Sequence, residues 1–160
     1  MSRRAWLAAA AVAFVCLGVV TPIATGAATQ SVLVVDDDNG DALLVTPVEE
    51  GTEITVEYTH SVEKTLVSDV YAVDDGRLLM TRMEFSSYGA GLPSSVPVTE
   101  VDGRYVYYPP ERHYDPLRVT TGYVADHDLV VGEQRYELVD IADGGTVELS
   151  VETRLKIPQW

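Results

Sequence analysis

The chain has 160 residues, 46% of them hydrophobic, and a formal net charge of −14. Acids dominate, with 25 Asp and Glu against 11 Lys and Arg, and no basic stripe could follow a phosphate backbone, which excludes a nucleic-acid-binding protein. The single cysteine, Cys16, lies in a leading apolar segment, so the rest of the chain has neither a disulfide framework nor a cysteine metal site.

Residues 1–28 are predicted to be a signal peptide or an uncleaved membrane anchor. Arg3-Arg4 followed by an apolar run resembles a twin-arginine export signal. Small residues at 24–28 suit a signal peptidase, whereas the lack of charge between Arg4 and Asp36 would also permit an uncut membrane-spanning helix. Basic residues before this segment and acidic residues after it predict an extracytoplasmic domain, either secreted or anchored to the membrane.

Residues 29–160 are predicted to form a single small antiparallel β-sandwich or barrel-like domain, because polar and apolar residues alternate with a period of two. Asn39-Gly40 predicts a hairpin turn with positive φ at both central positions. Residues 86–100 and 109–116 are predicted to be loops. Strands are predicted at 31–35, 42–45, 53–60, 67–73, 77–85, 105–108, 117–124, 129–131, 134–139 and 146–155.

The densest polar cluster occupies residues 60–65, where one predicted strand ends. A histidine, a hydroxyl, a carboxylate and an ammonium group within a few positions could bind a polar ligand or transfer protons. Alternatively, this segment is a polar turn in which the histidine caps backbone groups. The candidate binding residues of this loop are His60, Ser61, Glu63, Lys64 and Thr65.

A second candidate loop contains two glycines around one alanine. Such a loop lets the backbone approach a ligand closely, and its N–H groups could hold an anion. It is neither a dinucleotide fingerprint nor a P-loop, and an ordinary connection between strands is the alternative. The candidate residues of this loop are Tyr88, Gly89, Ala90, Gly91 and Pro93.

The motif His60-Ser61-Val62-Glu63-Lys64-Thr65, with Asp69, Tyr71 and Gly89-Ala90-Gly91 downstream, resembles the uncharacterised domain-of-unknown-function family 1850. The likeness covers mainly residues 53–93, and Val67-Ser68 departs from the family's aromatic and acidic flank. It implies a small exported protein found beside the membrane subunits of TAXI-type TRAP transporters, which import carboxylates by means of a binding protein and an ion gradient. The family has no established activity.

The sequence and the resemblance together predict a non-catalytic extracytoplasmic accessory or ligand-binding protein associated with a TRAP-type (TAXI) carboxylate transporter. Its expected partners are the transporter's membrane subunit or solute-binding protein, with a small carboxylate as a further ligand. Lys64 and the glycine-loop amides would face negative charge, and His60 and Glu63 would orient it by hydrogen bonds. No cofactor and no metal are predicted.

Two other classes stay open. A small hydrolase or metal-dependent enzyme would use His60 as a base, although no nucleophile elbow is present. Residues 111–115 and 126–128 would supply metal ligands only if the fold brought them together. Residues 36–41 lack the spacing of an EF-hand loop and are predicted to be a solvated turn. The third class is a structural cell-surface domain.

The excess of acidic over basic residues is typical of proteins from extreme halophiles, in which concentrated salt screens the repulsion between like charges.

Overall fold

The computed structural model describes residues 28–89, 92–93 and 96–156. Apart from Ala28, the predicted leader lies outside these residues, and so do Ala90 and Gly91 of the second candidate loop. In the described ranges, no helix is both long enough and apolar enough to cross a membrane.

The described residues form twelve strands and one short helix. In chain order these are β1 (Thr29–Asp37), β2 (Ala42–Pro47), β3 (Glu53–Thr59), β4 (Leu66–Asp74), β5 (Arg77–Phe85), β6 (Thr99–Val101), β7 (Arg104–Tyr107), β8 (His113–Tyr114), β9 (Leu117–Thr120), β10 (Asp128–Val131), β11 (Gln134–Tyr136), α1 (Leu138–Ile141) and β12 (Thr146–Leu155).

The strands make two antiparallel sheets. The small sheet has the order β2-β1-β12-β9, and the large sheet has the order β11-β10-β3-β4-β5-β7-β6, with β8 paired to β5. In the small sheet, β1 and β12 pair along their whole length, from Thr29 opposite Leu155 to Asp37 opposite Val147. The predicted all-β antiparallel fold is therefore confirmed.

The main core lies between the two sheets. Alternate residues of β1 and β12 point into it from the small sheet, for example Leu33 and Leu149, and β3 contributes Ile54 from the large sheet. Each of these three side chains is fully buried, and burial of such a side chain stabilises the fold by about 1.5–3 kcal/mol. This period-two alternation is why the sequence folds as a sandwich.

The small sheet has four strands and the large sheet eight, so part of the large sheet's inner face needs another cover. Around β5 and β7 this cover comes from described residues of the connection between β5 and β6. Leu92 and Val98 pack over Val67 and Phe85, forming a second, smaller hydrophobic cluster. A loop that replaces a missing strand leaves room for a cavity, because it cannot match the regular packing of a second sheet.

The Asn39-Gly40 hairpin forms, but its turn differs from the expected one. Only Gly40 has positive φ, at 84°, because the side chain of Asp37 holds the loop. Oδ1 of Asp37 accepts hydrogen bonds from the backbone N–H groups of Asn39 (2.8 Å) and Asp41 (2.9 Å). The expectation of positive φ at both central residues was wrong, since the aspartate side chain selects another turn.

The remaining differences are short elements. The predicted loops 86–100 and 109–116 contain the edge strand β6 and the two-residue strand β8. The predicted strand 134–139 ends at Tyr136 and is followed by α1. Leu138 and Val139 of α1 are buried, and this single turn is too short to show a helical period in the sequence. The predicted strand 117–124 stops at Thr120.

Candidate functional site

The two candidate loops meet in space at His60 and Gly89. A Cβ atom placed on Gly89 would lie 2.6 Å from Cε1 and 2.9 Å from Nε2 of His60, and 3.0 Å from Cγ of Glu63. A second contact joins the loops, because the hydroxyl oxygens of Thr65 and Ser87 are 3.1 Å apart. The first loop therefore supports the start of the second.

His60 organises its own turn. The ring is only 8% exposed, and its Nδ1 accepts hydrogen bonds from the backbone N–H groups of Val62 (3.3 Å) and Glu63 (3.2 Å). The His60 N–H donates to the carbonyl of Thr65 (2.8 Å), and the Lys64 N–H donates to the carbonyl of His60 (2.9 Å). The structure thus favours the capping interpretation of this histidine, because Nδ1 is occupied by backbone donors.

The other candidate residues near this turn face outward. Ser61, Glu63 and Lys64 are exposed, and Lys64 has a φ of 55° at the tight end of the turn. Tyr88 is 43% exposed, and its ring lies 4.6 Å from the ring of Tyr105, measured between centroids. These side chains form a polar and aromatic rim instead of a closed pocket.

Next to this rim, a cavity of about 660 Å³ opens over the large sheet. That volume is in the range of small-molecule binding sites. Of the described candidate residues, only Pro93 lines it. The lining residues are mostly aromatic rings, methionines and prolines, with three charged side chains: Asp69, Tyr71, Met80, Met83, Leu92, Pro93, Tyr107, Pro109, Pro110, Glu111, Arg112 and Tyr114.

Strand register builds the floor of this cavity. Asp69 of β4 lies opposite Val56 of β3 on one side and opposite Met83 of β5 on the other. Met83 in turn lies opposite Tyr107 of β7. Residues directly opposite each other on neighbouring antiparallel strands project from the same face. Asp69 therefore projects from the inner face of the sheet, in a row with an aliphatic, a thioether and an aromatic side chain.

Asp69 is the least satisfied polar group of the site. Neither of its carboxyl oxygens accepts a hydrogen bond from the part of the chain that the structure describes, and Oδ1 is shielded from solvent. Burial raises the pKa of Asp69 to about 6. The pKa values of the Tyr58 and Tyr71 phenols are also raised, mainly by burial and secondly by the nearby negative charge of Asp69. A partly buried carboxyl with no partner costs free energy, so its presence at this position points to a role.

Arg112 supplies positive charge to the same cavity. Its guanidinium carbon lies 4.8 Å from the ring centroid of Tyr114, a cation–π distance. It forms no ion pair with a carboxylate of the described residues, in contrast to Arg82, which contacts Glu53 at 2.8 Å and Glu84 at 2.7 Å. The Arg112 guanidinium thus packs on an aromatic ring, and its N–H groups are available to donate hydrogen bonds to a ligand.

A second cavity, of about 230 Å³, lies on the other side of Asp69 and Tyr71, which line both cavities. Here Tyr58 and His127 stack with ring centroids 5.4 Å apart and an interplanar angle of 22°. Nδ1 of His127 is buried without a hydrogen-bond partner in the described residues, and burial lowers the pKa of this histidine. Asp69 and Tyr71 therefore form the wall between a larger and a smaller cavity.

The alternative metal site is not assembled. Within residues 28–89, 92–93 and 96–156, no group of three or more His, Cys, Asp and Glu side chains is placed to hold a metal ion. His113 instead pairs with Asp74, with Nε2 and Oδ2 2.5 Å apart, and His127 stacks on Tyr58. The two predicted ligand segments use their histidines in separate places.

Most of the residues that line the cavity were not predicted from the sequence. Asp69 and Tyr71 belong to the motif that carries the family resemblance, but they were not predicted to bind. The available signal was the phase of β4, in which Val67, Asp69, Tyr71 and Val73 alternate inward, so that an acid occupies an apolar position. Arg112 carried no comparable signal, because it lies in a proline-containing loop whose path the sequence does not specify.

Comparisons with known proteins give one family. No curated protein and no solved structure matches the chain. The family "Domain of unknown function (DUF1850)" matches residues 54–138, from the second residue of β3 to the end of β11 and the first residue of α1. The match includes both candidate loops and every described residue that lines the larger cavity. Because this match covers more than half of the chain, the protein belongs to the DUF1850 family.

Proposed function

We propose that this protein is a non-catalytic, extracytoplasmic ligand-binding accessory of a TRAP-type (TAXI) carboxylate transporter, and that its larger cavity binds a small organic carboxylate. The observation that supports the ligand is Arg112, a cation without a carboxylate partner in the described structure, at an aromatic cavity of about 660 Å³. The family resemblance of the motif at residues 60–65 supports the transporter association, and the export-like leader supports the location.

The cavity suits a ligand that is partly apolar. Met80, Met83 and Tyr107 offer dispersion contacts and adaptable shapes, while Arg112 offers a planar set of donors to a carboxylate. A ligand carboxylate bound to Arg112 would gain charge-assisted hydrogen bonds, and its carbon skeleton would cover the tyrosine and methionine side chains.

The rim of the two candidate loops is the proposed contact with a transporter subunit. It exposes Ser61, Glu63 and Lys64 together with two large apolar side chains, Val62 and Tyr88. A mixed polar and aromatic rim is typical of a protein interface. His60 and Gly89 act beneath this surface, by holding the two loops against each other.

An enzyme that uses His60 as its base has less support. The ring is covered by Gly89, and Nδ1 already accepts two backbone hydrogen bonds. A general base must reach the proton that it abstracts, and a ring packed beneath Gly89 is poorly placed to do so.

The transporter association is tested first, by co-purification. The full-length protein, tagged at its C-terminus, would be solubilised gently at high salt, and we expect a TRAP membrane subunit or solute-binding protein to co-purify. Absence of any specific partner from folded protein would contradict the transporter role.

The ligand site is tested with Arg112→Gln and the matched control Arg77→Gln, whose side chain lies outside the cavity. Loss of the charge-assisted bonds should weaken carboxylate binding by about 10- to 100-fold in Arg112→Gln alone. Equal affinity of the two variants would contradict the assignment of the cavity.

A further inference from the structure

We infer that the ligand of the larger cavity is amphoteric: besides the carboxylate that Arg112 binds, it carries a positively charged, hydrogen-bond-donating group that Asp69 binds, as a free α-amino acid does. This inference rests on the proposed function and narrows it from carboxylates in general to those with an ammonium group.

Asp69 is the reason for the second group. Its carboxyl lines the cavity from the floor, and no described residue donates a hydrogen bond to either oxygen. The side chains around it, Tyr58, Tyr71 and Met83, bring no positive charge. With a pKa of about 6, Asp69 is mostly ionised at neutral pH, so the floor of the cavity carries a negative charge that a hydrogen-bond donor on the ligand would satisfy.

A ligand with a carboxylate alone fits this cavity poorly. Asp69 and Glu111 both line it, so a purely anionic ligand would enter beside two acids while gaining one arginine. An ammonium group would instead attract the Asp69 carboxylate, and because Oδ1 of Asp69 is shielded from solvent this attraction is stronger than at an exposed site. Charge balance therefore favours a ligand with one charge of each sign.

The aromatic lining supports the same ligand. Tyr71 and Tyr114 meet edge to face with ring centroids 5.7 Å apart, and Tyr107 lines the cavity near Met83. Aromatic faces attract cations, and Arg112 already uses the ring of Tyr114 in this way. The remaining rings and the Asp69 carboxyl would surround an ammonium group, while the Arg112 end of the cavity receives the carboxylate.

The test compares matched probes that differ only in the ammonium group: L-alanine with propanoate, L-leucine with 4-methylpentanoate, and L-phenylalanine with 3-phenylpropanoate. Binding of each probe to the full-length protein in mild detergent at pH 7.5 is measured by calorimetry. We expect at least one amino acid to bind about 10- to 100-fold more tightly than its deaminated partner. In Asp69→Asn this preference should disappear, whereas Asp41→Asn, an exposed aspartate outside the cavity, should keep it.

The outcomes separate the two proposals. If the deaminated carboxylates bind as tightly as the amino acids, or more tightly, the amphoteric ligand is wrong while the carboxylate site stands. Both proposals are wrong if no probe of any pair binds at a concentration of about 10 mM, because a ligand site should show measurable affinity at that concentration. The comparison of probes uses the unmodified protein, so it decides the question even if Asp69→Asn fails to fold.

Discussion

Gly89 is a glycine because of His60. Its backbone does not occupy the left-handed region, so no conformational demand requires a glycine at this position. What requires it is space, since a side-chain carbon would lie 2.6 Å from the imidazole Cε1 and 2.9 Å from Nε2. Because the same ring also accepts backbone hydrogen bonds from its own turn, the imidazole is the joint between the two loops.

The Gly89→Ala variant is therefore expected to push the loops apart. Overpacking of this kind costs about 1–3 kcal/mol, and urea unfolding would show it as a lower midpoint with an unchanged slope. Gly122→Ala is the matched control, because a Cβ atom there meets nothing within 4 Å and the backbone is not in the left-handed region. If both alanine variants unfold at the same urea concentration, the packing role of Gly89 is wrong.

The Asp69 carboxyl should leave a mark on the pH dependence of stability. Its pKa rises from 3.8 to about 6 on folding, so the folded state holds this proton more tightly than the unfolded chain does. Stability contributed by the protonated carboxyl is present below pH 3.8 and is lost as the pH rises through about 6. Asp69→Asn removes this titration, and its stability relative to the parent should increase by about 3 kcal/mol as the pH rises between those limits.

The measurement for Asp69→Asn is the free energy of unfolding in urea from pH 4 to pH 8, for the parent and the variant. The difference between the two curves cancels the titration of the other acids and isolates Asp69. A difference that is constant over this range, or that shrinks as the pH rises, would show that the carboxyl is not held in a desolvated position.

The small hydrophobic cluster around Phe85 should contribute strongly to the stability of the fold. Phe85 is fully buried in this cluster, and Phe85→Ala is expected to destabilise the protein by about 3–5 kcal/mol. The same truncation at an exposed aromatic residue, Tyr108→Ala, should change the free energy of unfolding by less than about 0.5 kcal/mol, because Tyr108 is 62% exposed. Thermal or urea unfolding of both variants checks this contrast, and similar losses would contradict the burial.

The acidic surface predicts a strong response to salt. The whole chain has a net charge of −14, so its acidic groups repel one another, and the screening length falls from about 10 Å at 0.1 M to about 3 Å at 1 M salt. We expect the melting temperature to rise steadily with KCl from 0.1 to 2 M. Sucrose at matched osmolality is the control for general exclusion effects, and a melting temperature that responds equally to both would argue against a halophilic adaptation.

Periodicity and turn chemistry were enough to predict most of the sheet. The strand at 77–85 and the strand at 146–155 were predicted with the bounds that the structure has, because alternation runs without interruption between clear turn residues. The elements that were not predicted, α1, β6 and β8, are short, and their existence depends on tertiary contacts. Elements of two to four residues leave no periodic signal of their own.

The candidate site was predicted only in part, and for a different reason. Composition identified the loops of His60 and Gly89, and the structure brings them together. The cavity beside them depends on strand register, which places Asp69, Met83 and Tyr107 in one row from distant parts of the chain. The register between neighbouring strands cannot be derived from one sequence. The row of these three side chains was therefore recognised only in the structure.

The pairing of β1 with β12 sets the order in which this domain can fold. Thr29 pairs with Leu155, so the β1–β12 pair at the centre of the small sheet cannot form before residue 155 has been synthesised. Until then the apolar run of β1 at Val32–Val35 has no partner on that side, and such a strand edge is prone to associate with other chains. Slow folding and a need for protection of the nascent chain are consequences of closing the sandwich with its first and last strands.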